Sequence, residues 1–109
     1  MSTKVLSIII PMYNMENYIG KCLQSLLDIP TECLESIDII VVNDGSKDQS
    51  LRIATSYQKK YPEVIRVIDK ENGNYGSCIN AGLAKALGTY VKVLDSDDYF
   101  SSVGLSAIL

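Results

Sequence analysis

The chain has no histidine, no tryptophan and a single phenylalanine among its 109 residues. The first absence removes chemistry that would need an imidazole base or ligand from these residues. Cys22, Cys33 and Cys78 are widely spaced and form no C-x-x-C pair. Neither a zinc site nor a disulfide framework is therefore expected, and the three read as buried free thiols in a reducing, cytoplasmic setting. Positive charge is scarce as well: 10 Lys and Arg stand against 13 Asp and Glu, for a net charge of -3. That argues against nucleic acid as a partner, since no broad basic footprint exists. No apolar run approaches the roughly 18 residues that mark a membrane span. The opening "MSTKVLSIII" meets Pro11 without a small-residue cleavage site, so it reads as a first strand and not as a signal peptide. Repeats, low-complexity tracts and linkers are missing too, which leaves one small domain over residues 1–109.

What the chain does have is apolar content, 47% of its residues, arranged in two alternating periods. Short β-branched runs at 4–10, 36–43, 63–69 and 89–94 have the near-continuous apolar character of strands buried on both faces. Pro11 is expected to stop the first of them, because proline cannot donate to a ladder. Between the runs the apolar spacing becomes helical. Ile19, Cys22, Leu23, Leu26 and Leu27 form one stripe, with Asn14 as its expected cap. Leu51, Ile53, Ala54 and Tyr57 form a second within 48–60. Ile79, Gly82, Leu83, Ala86 and Leu87 share a third face, closed by Gly88 as the expected C-cap. "SSVGLSAIL" resembles the opening of a fourth helix. Strand and helix in regular alternation predict an α/β domain: a Rossmann-like parallel sheet with helices on both faces.

The unusual polar residues all follow strands: "PMYN", "NDGS", "KENGNYG" and "DSDD". In an open parallel sheet the carboxyl ends of the strands share one edge, and ligands bind in the crevice there. Tyr13, Asp44, the loop 72–76 and the acids 95–98 are thus expected to converge, whereas "LDIPTECLE" and "KKYPE" at the other edge are ordinary connections. Tyr13 can stack on a base or pack beneath its own loop. Asp44 can accept an N–H from a pyrimidine ring, and Gly45 lets a ligand come close. Asn72, Gly73 and Gly76 form neither G-x-G-x-x-G nor a phosphate-cradling P-loop, but they open a helix, whose first N–H groups favour phosphate.

Asp95, Asp97 and Asp98 repel one another unless a cation is bound. Oxygen donors without Cys or His company suit a hard ion, Mg²⁺ or Mn²⁺, and magnesium completes its shell with water and substrate phosphates. The alternative is a solvated acidic turn. A receiver-type phosphoacceptor domain also places acids at strand ends, but here the third strand ends in "IDKEN" and the first lacks paired acids.

In order, "SIIIPMYNMENYIGKCLQSLL", "IDIIVVNDGSKDQS" and "ENGNYGSCINAGLAKALGTYVKVLDSDDYF" resemble the start of a family 2 glycosyltransferase with the GT-A fold, over almost the whole chain. The resemblance implies the nucleotide-binding half of that fold. It also implies metal-dependent, usually inverting transfer of a sugar from a nucleotide diphosphate, UDP above all, to a glycan or lipid acceptor. By the same likeness, Pro11 and Tyr13 hold the base, and Asp44 reads it with Gly45 and Ser46 completing the turn. Asn72 and Gly76 lie on the nucleotide side. Asp95 and Asp97 form the D-x-D pair that touches ribose and, through Mg²⁺ or Mn²⁺, the diphosphate, with Asp98 as the third acid. Cys78, Ile79 and Asn80 stand where the family commonly has Ala-Arg-Asn, so an expected cationic contact is missing. Family domains run to about 200 residues or more, above one unit of roughly 100. The acceptor half with its general base is thus expected to lie elsewhere. The full-length protein is expected in the cytoplasm or at the inner face of the membrane. The alternative is a non-catalytic module that self-associates as a homo-oligomer or assembles with other chains.

Overall fold

The computed structural model describes residues 4–94; the expected fourth helix and the acids Asp95, Asp97 and Asp98 lie outside them. Strand β1 spans Leu6–Met12, followed by helix α1 (Ile19–Leu27), a short helix α2 (Thr31–Leu34) and strand β2 (Ile37–Asp44). Helix α3 (Ser50–Lys60), strand β3 (Ile65–Lys70), helix α4 (Tyr75–Lys85) and strand β4 (Tyr90–Val93) complete the order. The strands form one parallel sheet in the order β3-β2-β1-β4. The chain therefore moves outward from β1 through β2 to β3 and then returns through α4 to the other side of β1.

All eight residues of β2 are buried, as a central strand covered on both faces requires. Side chains alternate between two cores. Ile8, Ile10, Met12, Ile37, Ile39 and Val41 pack with the α1 stripe Ile19, Cys22, Leu23, Leu26 and Leu27 and with Ala54 of α3. Ile9, Ile40 and Val42 face the other way, onto Cys78 of α4. Each fully buried Ile or Leu contributes about 1.5–3 kcal/mol of transfer free energy, so the α1–α3 side dominates the stability. Cys22 and Cys78 are buried and Cys33 is half-buried, and none of the three forms a disulfide.

Four local expectations are corrected. β1 does not stop at Pro11 but runs on to Met12, with Pro11 opposite Val42. Ile9 presents its carbonyl to Leu94 of the β4 side. Two residues on, Pro11 faces the same way, so its missing N–H takes nothing from the β1–β2 ladder. Asn14 does not cap α1, whose N-cap is Tyr18 without a side-chain bond. Asn14 is instead left-handed, with φ 50°, and its Oδ1 accepts from Lys47 N at 2.8 Å.

Nor does Gly88 cap α4: the helix ends at Lys85, with Ala86 as C-cap, and Gly88 N donates to Ser7 Oγ at 2.8 Å. Finally, the face of α4 that meets the sheet is Cys78, Ala81 and Gly82 with Ala86, while Leu83 and Leu87 are exposed. Small residues let the helix backbone approach Ile9, and the leucines then turn outward.

The α4–β4 connection is anchored by a buried polar group that the hydrophobic pattern did not reveal. Asp38, 2% exposed, accepts the guanidinium of Arg66 through Nε at 3.1 Å and Nη2 at 2.8 Å. It also accepts from Ser7 Oγ at 3.0 Å and Leu87 N at 3.1 Å. Arg66 Nη2 donates to Lys85 O as well. A buried charge persists only when paired and hydrogen-bonded in this way.

Candidate functional site

The order of the sheet reverses at β1, and in open α/β sheets the ligand crevice lies outside the carboxyl ends of the strands at such a switch point. Here that is the edge where β1 and β4 end. Three loops leave the described part of this edge, and side chains sew them into a continuous wall.

The β1–α1 and β2–α3 loops exchange bonds in both directions. Asn14 N donates to Ser46 Oγ at 3.0 Å, Met15 N to Ser50 Oγ at 2.6 Å and Glu16 N to Asp48 Oδ2 at 3.2 Å. In return Lys47 N donates to Asn14 Oδ1 at 2.8 Å and Gln49 N to Glu16 Oε2 at 3.1 Å. Asp48 also receives Ser50 N at 2.9 Å. Burial pushes the Asp48 carboxyl up, but these hydrogen bonds outweigh it and hold the group below its ordinary value.

The β2–α3 loop is joined in turn to the β3–α4 loop through Asp44. Its Oδ1 accepts from Lys70 Nζ at 2.9 Å and from Gly73 N at 2.7 Å. Its backbone carbonyl accepts from Asn72 Nδ2 at 2.9 Å. One strand position back, Asn43 Nδ2 donates to Asp69 Oδ1 at 2.9 Å. Gly45 has φ 71°, a conformation that costs an L side chain dearly. A Cβ there would also lie 2.8 Å from Asn72 N, so the two loops touch backbone to backbone only because residue 45 is glycine. Burial pushes the Asp44 carboxyl up, yet the Lys70 and Gly73 hydrogen bonds and the Lys70 charge bring it below the ordinary value. Burial, and then the same carboxylate, push the neighbouring Cys78 thiol up, so it stays neutral.

Helix α4 begins on this edge with a capping box. Asn74 Oδ1 accepts from Ser77 N at 2.8 Å, and Asn74 N donates to Ser77 Oγ at 3.2 Å. The expectation that this helix start offers its N–H groups to phosphate is thereby narrowed, since Ser77 N is already taken.

Of the residues expected at the site, Asp44, Gly45, Ser46 and Asn72 are brought together directly. Ser46 and Asn72 both use polar atoms to hold the wall. Tyr13 follows β1 on the same edge and is 41% exposed, open to a stacking partner. Pro11 lies in β1 itself, and Gly76 is exposed in the first turn of α4. Leu94 ends the described part of the chain beside β1, its N–H donating to Ile9 O at 2.9 Å; Asp95, Asp97 and Asp98 follow it in sequence. Among the described residues no cluster of three or more His, Cys, Asp or Glu can hold a metal. Lys70 escaped the sequence reading, as did the hydrogen bond from Gly73 N to Asp44. The available signal was a lysine ending a strand next to a strand that ends in Asp, a cross-strand pair in a parallel register.

An open parallel sheet with a polar wall at its switch point defines an α/β domain of the class whose ligands bind at the carboxyl edge. Comparison with known proteins gives the family. The sequence profile described as glycosyl transferase family 2 matches residues 7–108, and the chain belongs to that family. The uncharacterized glycosyltransferase EpsJ of Bacillus subtilis is 47% identical over 98 residues, covering 90% of this chain and 27% of that protein. The minor teichoic acid biosynthesis protein GgaB of the same species is 41% identical over 95 residues, covering 87% of this chain and 10% of that one. The crystal structure of S. aureus TarS 1-349 in complex with UDP-GlcNAc superimposes with a TM-score of 0.83 at 35% identity, over 95% of this chain and 30% of that one. The fold is that of GT-A glycosyltransferases. The chain spans about a third or less of the length of these relatives.

Proposed function

We propose that this chain is the donor-nucleotide half of a metal-dependent, inverting glycosyltransferase that moves a sugar from a UDP-sugar to a glycan or lipid acceptor. The observation that carries the reading is Asp44: a nearly buried carboxylate, held below its ordinary pKa, at the centre of a wall of three loops on the ligand-binding edge. A fixed charged acceptor of this kind suits the imide N–H of uracil, and exposed Tyr13 suits the face of a base. Family membership and the UDP-GlcNAc complex of TarS support a nucleotide-sugar donor.

Asp95, Asp97 and Asp98 would hold Mg²⁺ or Mn²⁺. The donor set fits, being carboxylate oxygen alone in a chain without histidine. Such an ion, when bound, supplies charge neutralisation for the leaving diphosphate. The protein's own part is to seat the base against Asp44 and Tyr13 and so fix where the diphosphate lies. The general base and the acceptor site would belong to residues beyond this half, and the chain alone would turn nothing over. In the full-length protein we place the domain in the cytoplasm or at the inner face of the membrane; no described helix is long and apolar enough to cross one. Calorimetric titration of UDP with Mn²⁺ should give weak, saturable heat. No heat at millimolar nucleotide from demonstrably folded protein would refute the reading.

A second reading, a module that assembles with copies of itself or with other chains, is favoured by the exposed Leu83 of α4, Leu87 of the α4–β4 connection and Tyr90 and Val91 of β4. Light scattering that finds a monomer at high concentration would exclude the self-association.

A further inference from the structure

Lys70, the last residue of β3, has an ammonium with three N–H donors, and three acceptors surround it. They are Asp44 Oδ1 at 2.9 Å, Glu71 O at 2.8 Å and Ser77 Oγ at 3.1 Å. They come from the end of β2, from the β3–α4 loop and from the first turn of α4. The ammonium therefore ties together the three elements that form this side of the crevice. With its donors taken, it has none left for a ligand, and whatever it does for recognition it does through Asp44.

Asp44 needs such a partner. It is 8% exposed, and burial without a counter-charge drives a carboxyl toward its neutral form. Among the described residues two titratable groups face it: Lys70 from β3 and the Cys78 thiol from α4. Gly73 of the loop between them adds an N–H. The β1–α1 loop meets its neighbour at Ser46, Lys47 and Asp48 instead. Lys70 is thus the cation that keeps Asp44 an acceptor. Lys70 and Gly73 both bond Oδ1 and the Cys78 thiol also hydrogen-bonds the carboxylate, which still leaves a lone pair of Oδ2 for a further donor.

We propose that Lys70 is a positioning residue for nucleotide recognition, fixing Asp44 as a charged acceptor whose Oδ2 side takes the imide N–H of a uracil-type base. This rests on the reading of Asp44 as the group that meets the base. A neutral carboxyl would present an O–H on that side for part of the time and lose the N–H contact. The consequence is a pH dependence that a merely structural lysine would not produce.

Uridine is the probe, because it has no phosphate to titrate and needs no metal. NMR follows two quantities in the wild-type protein and in Lys70→Met and Lys70→Arg: the Asp44 carboxyl carbon and the uridine dissociation constant at pH 5 and pH 7. In the wild type Asp44 titrates below its ordinary value and uridine binds equally at both pH values. In Lys70→Met the Asp44 titration moves upward, because burial is no longer offset by the ammonium, and uridine binds several-fold more weakly at pH 5 than at pH 7. Lys70→Arg restores the flat profile. If Lys70→Met does not fold, Lys70→Gln, which keeps a donor without the charge, carries the same expectation. A folded, uncharged variant with an unmoved Asp44 titration and a flat uridine profile overturns the role of Lys70 alone. Wild-type protein that ignores uridine at both pH values, with Asp44 still shifted by the variants, overturns the base-reading role of Asp44 and the recognition role built on it.

Discussion

Replacing Gly82 by alanine, alone and in an Ile9→Ala background, tests how α4 sits on the sheet. In the native packing a Cβ at residue 82 would lie 2.6 Å from Ile9 Cγ2, 2.9 Å from Cγ1 and 3.0 Å from Cδ1. Carbon atoms pack at about 3.5–4.0 Å, so either the helix or Ile9 must move by roughly 1 Å. Ile9 is fully buried among Ile40, Val42 and Cys78 and has little freedom to give way. Overpacking of this kind costs about 1–3 kcal/mol. Against it stands a gain of about 1 kcal/mol when a glycine in a helix interior becomes alanine. Gly82→Ala should therefore destabilise the native protein by about 1 kcal/mol net. Ile9→Ala removes all three offending atoms and costs about 2–5 kcal/mol by itself. In that background the new methyl enters vacated space and the helix gain is unopposed, so Gly82→Ala should stabilise by about 1 kcal/mol. The sign reverses, and the cycle gives a coupling of about 2 kcal/mol. Urea unfolding of the four proteins, read by circular dichroism, measures it. Gly82→Ala that is silent or stabilising in both backgrounds would refute the packing of α4 through Cys78, Ala81 and Gly82.

That packing also shows where the sequence could be read and where it could not. The α1 stripe was legible because its five apolar residues all point one way and all are buried. On α4 the same rule found Gly82 and Ala86 but set Leu83 and Leu87 beside them in place of Cys78 and Ala81. A stripe that includes Leu83 and Leu87 carries more apolar area, but helix-to-sheet distance is set by the smallest side chains, and a glycine opposite a buried isoleucine allows the closest approach. Periodicity weighs hydrophobicity and is blind to fit. Asp38 was hidden for a related reason. Within "SIDIIVVN" it looks like a solvent-facing interruption, and only the fold brings Ser7, Arg66 and the Leu87 N–H to it.

The candidate site was legible in its location more than in its wiring. Polar residues after strands share an edge in any parallel sheet, so the convergence of the Tyr13, Asp44 and Asn72 loops followed from topology. The bonds that lock those loops join residues 26 to 35 positions apart, and no local pattern announces them. Asn14 illustrates the point: its side chain suits a helix cap, yet it serves the neighbouring loop at Lys47. The charge balance at Asp44 was equally unreadable, because Lys70 belongs to another strand and only the β2–β3 register sets Lys70 beside it.

Two further outcomes are expected. Gly45→Ala should cost about 2–3 kcal/mol, of which about 1–2 is the left-handed backbone and the rest the collision of its Cβ with Asn72 N at 2.8 Å. Thermal unfolding reads the loss, and an unmoved Asn72 amide resonance would contradict the contact between the loops. The other concerns acid. Asp44 and Asp48 are both held below their ordinary value of 3.8, so the unfolded chain takes up these protons at a higher pH than the folded one. Their contribution is complete at neutral pH. It is lost as pH falls from about the unfolded value through the lower folded values, because there the unfolded state binds more protons. Stability should thus hold steady down to about pH 5 and drop below pH 4, as followed by urea midpoints across that range. In Asp44→Asn and Asp48→Asn the neutral-pH stability should be lower and the acid drop shallower. An unchanged acid drop in both variants would mean that other carboxylates drive acid unfolding and that the loop wall is not what acid dismantles first.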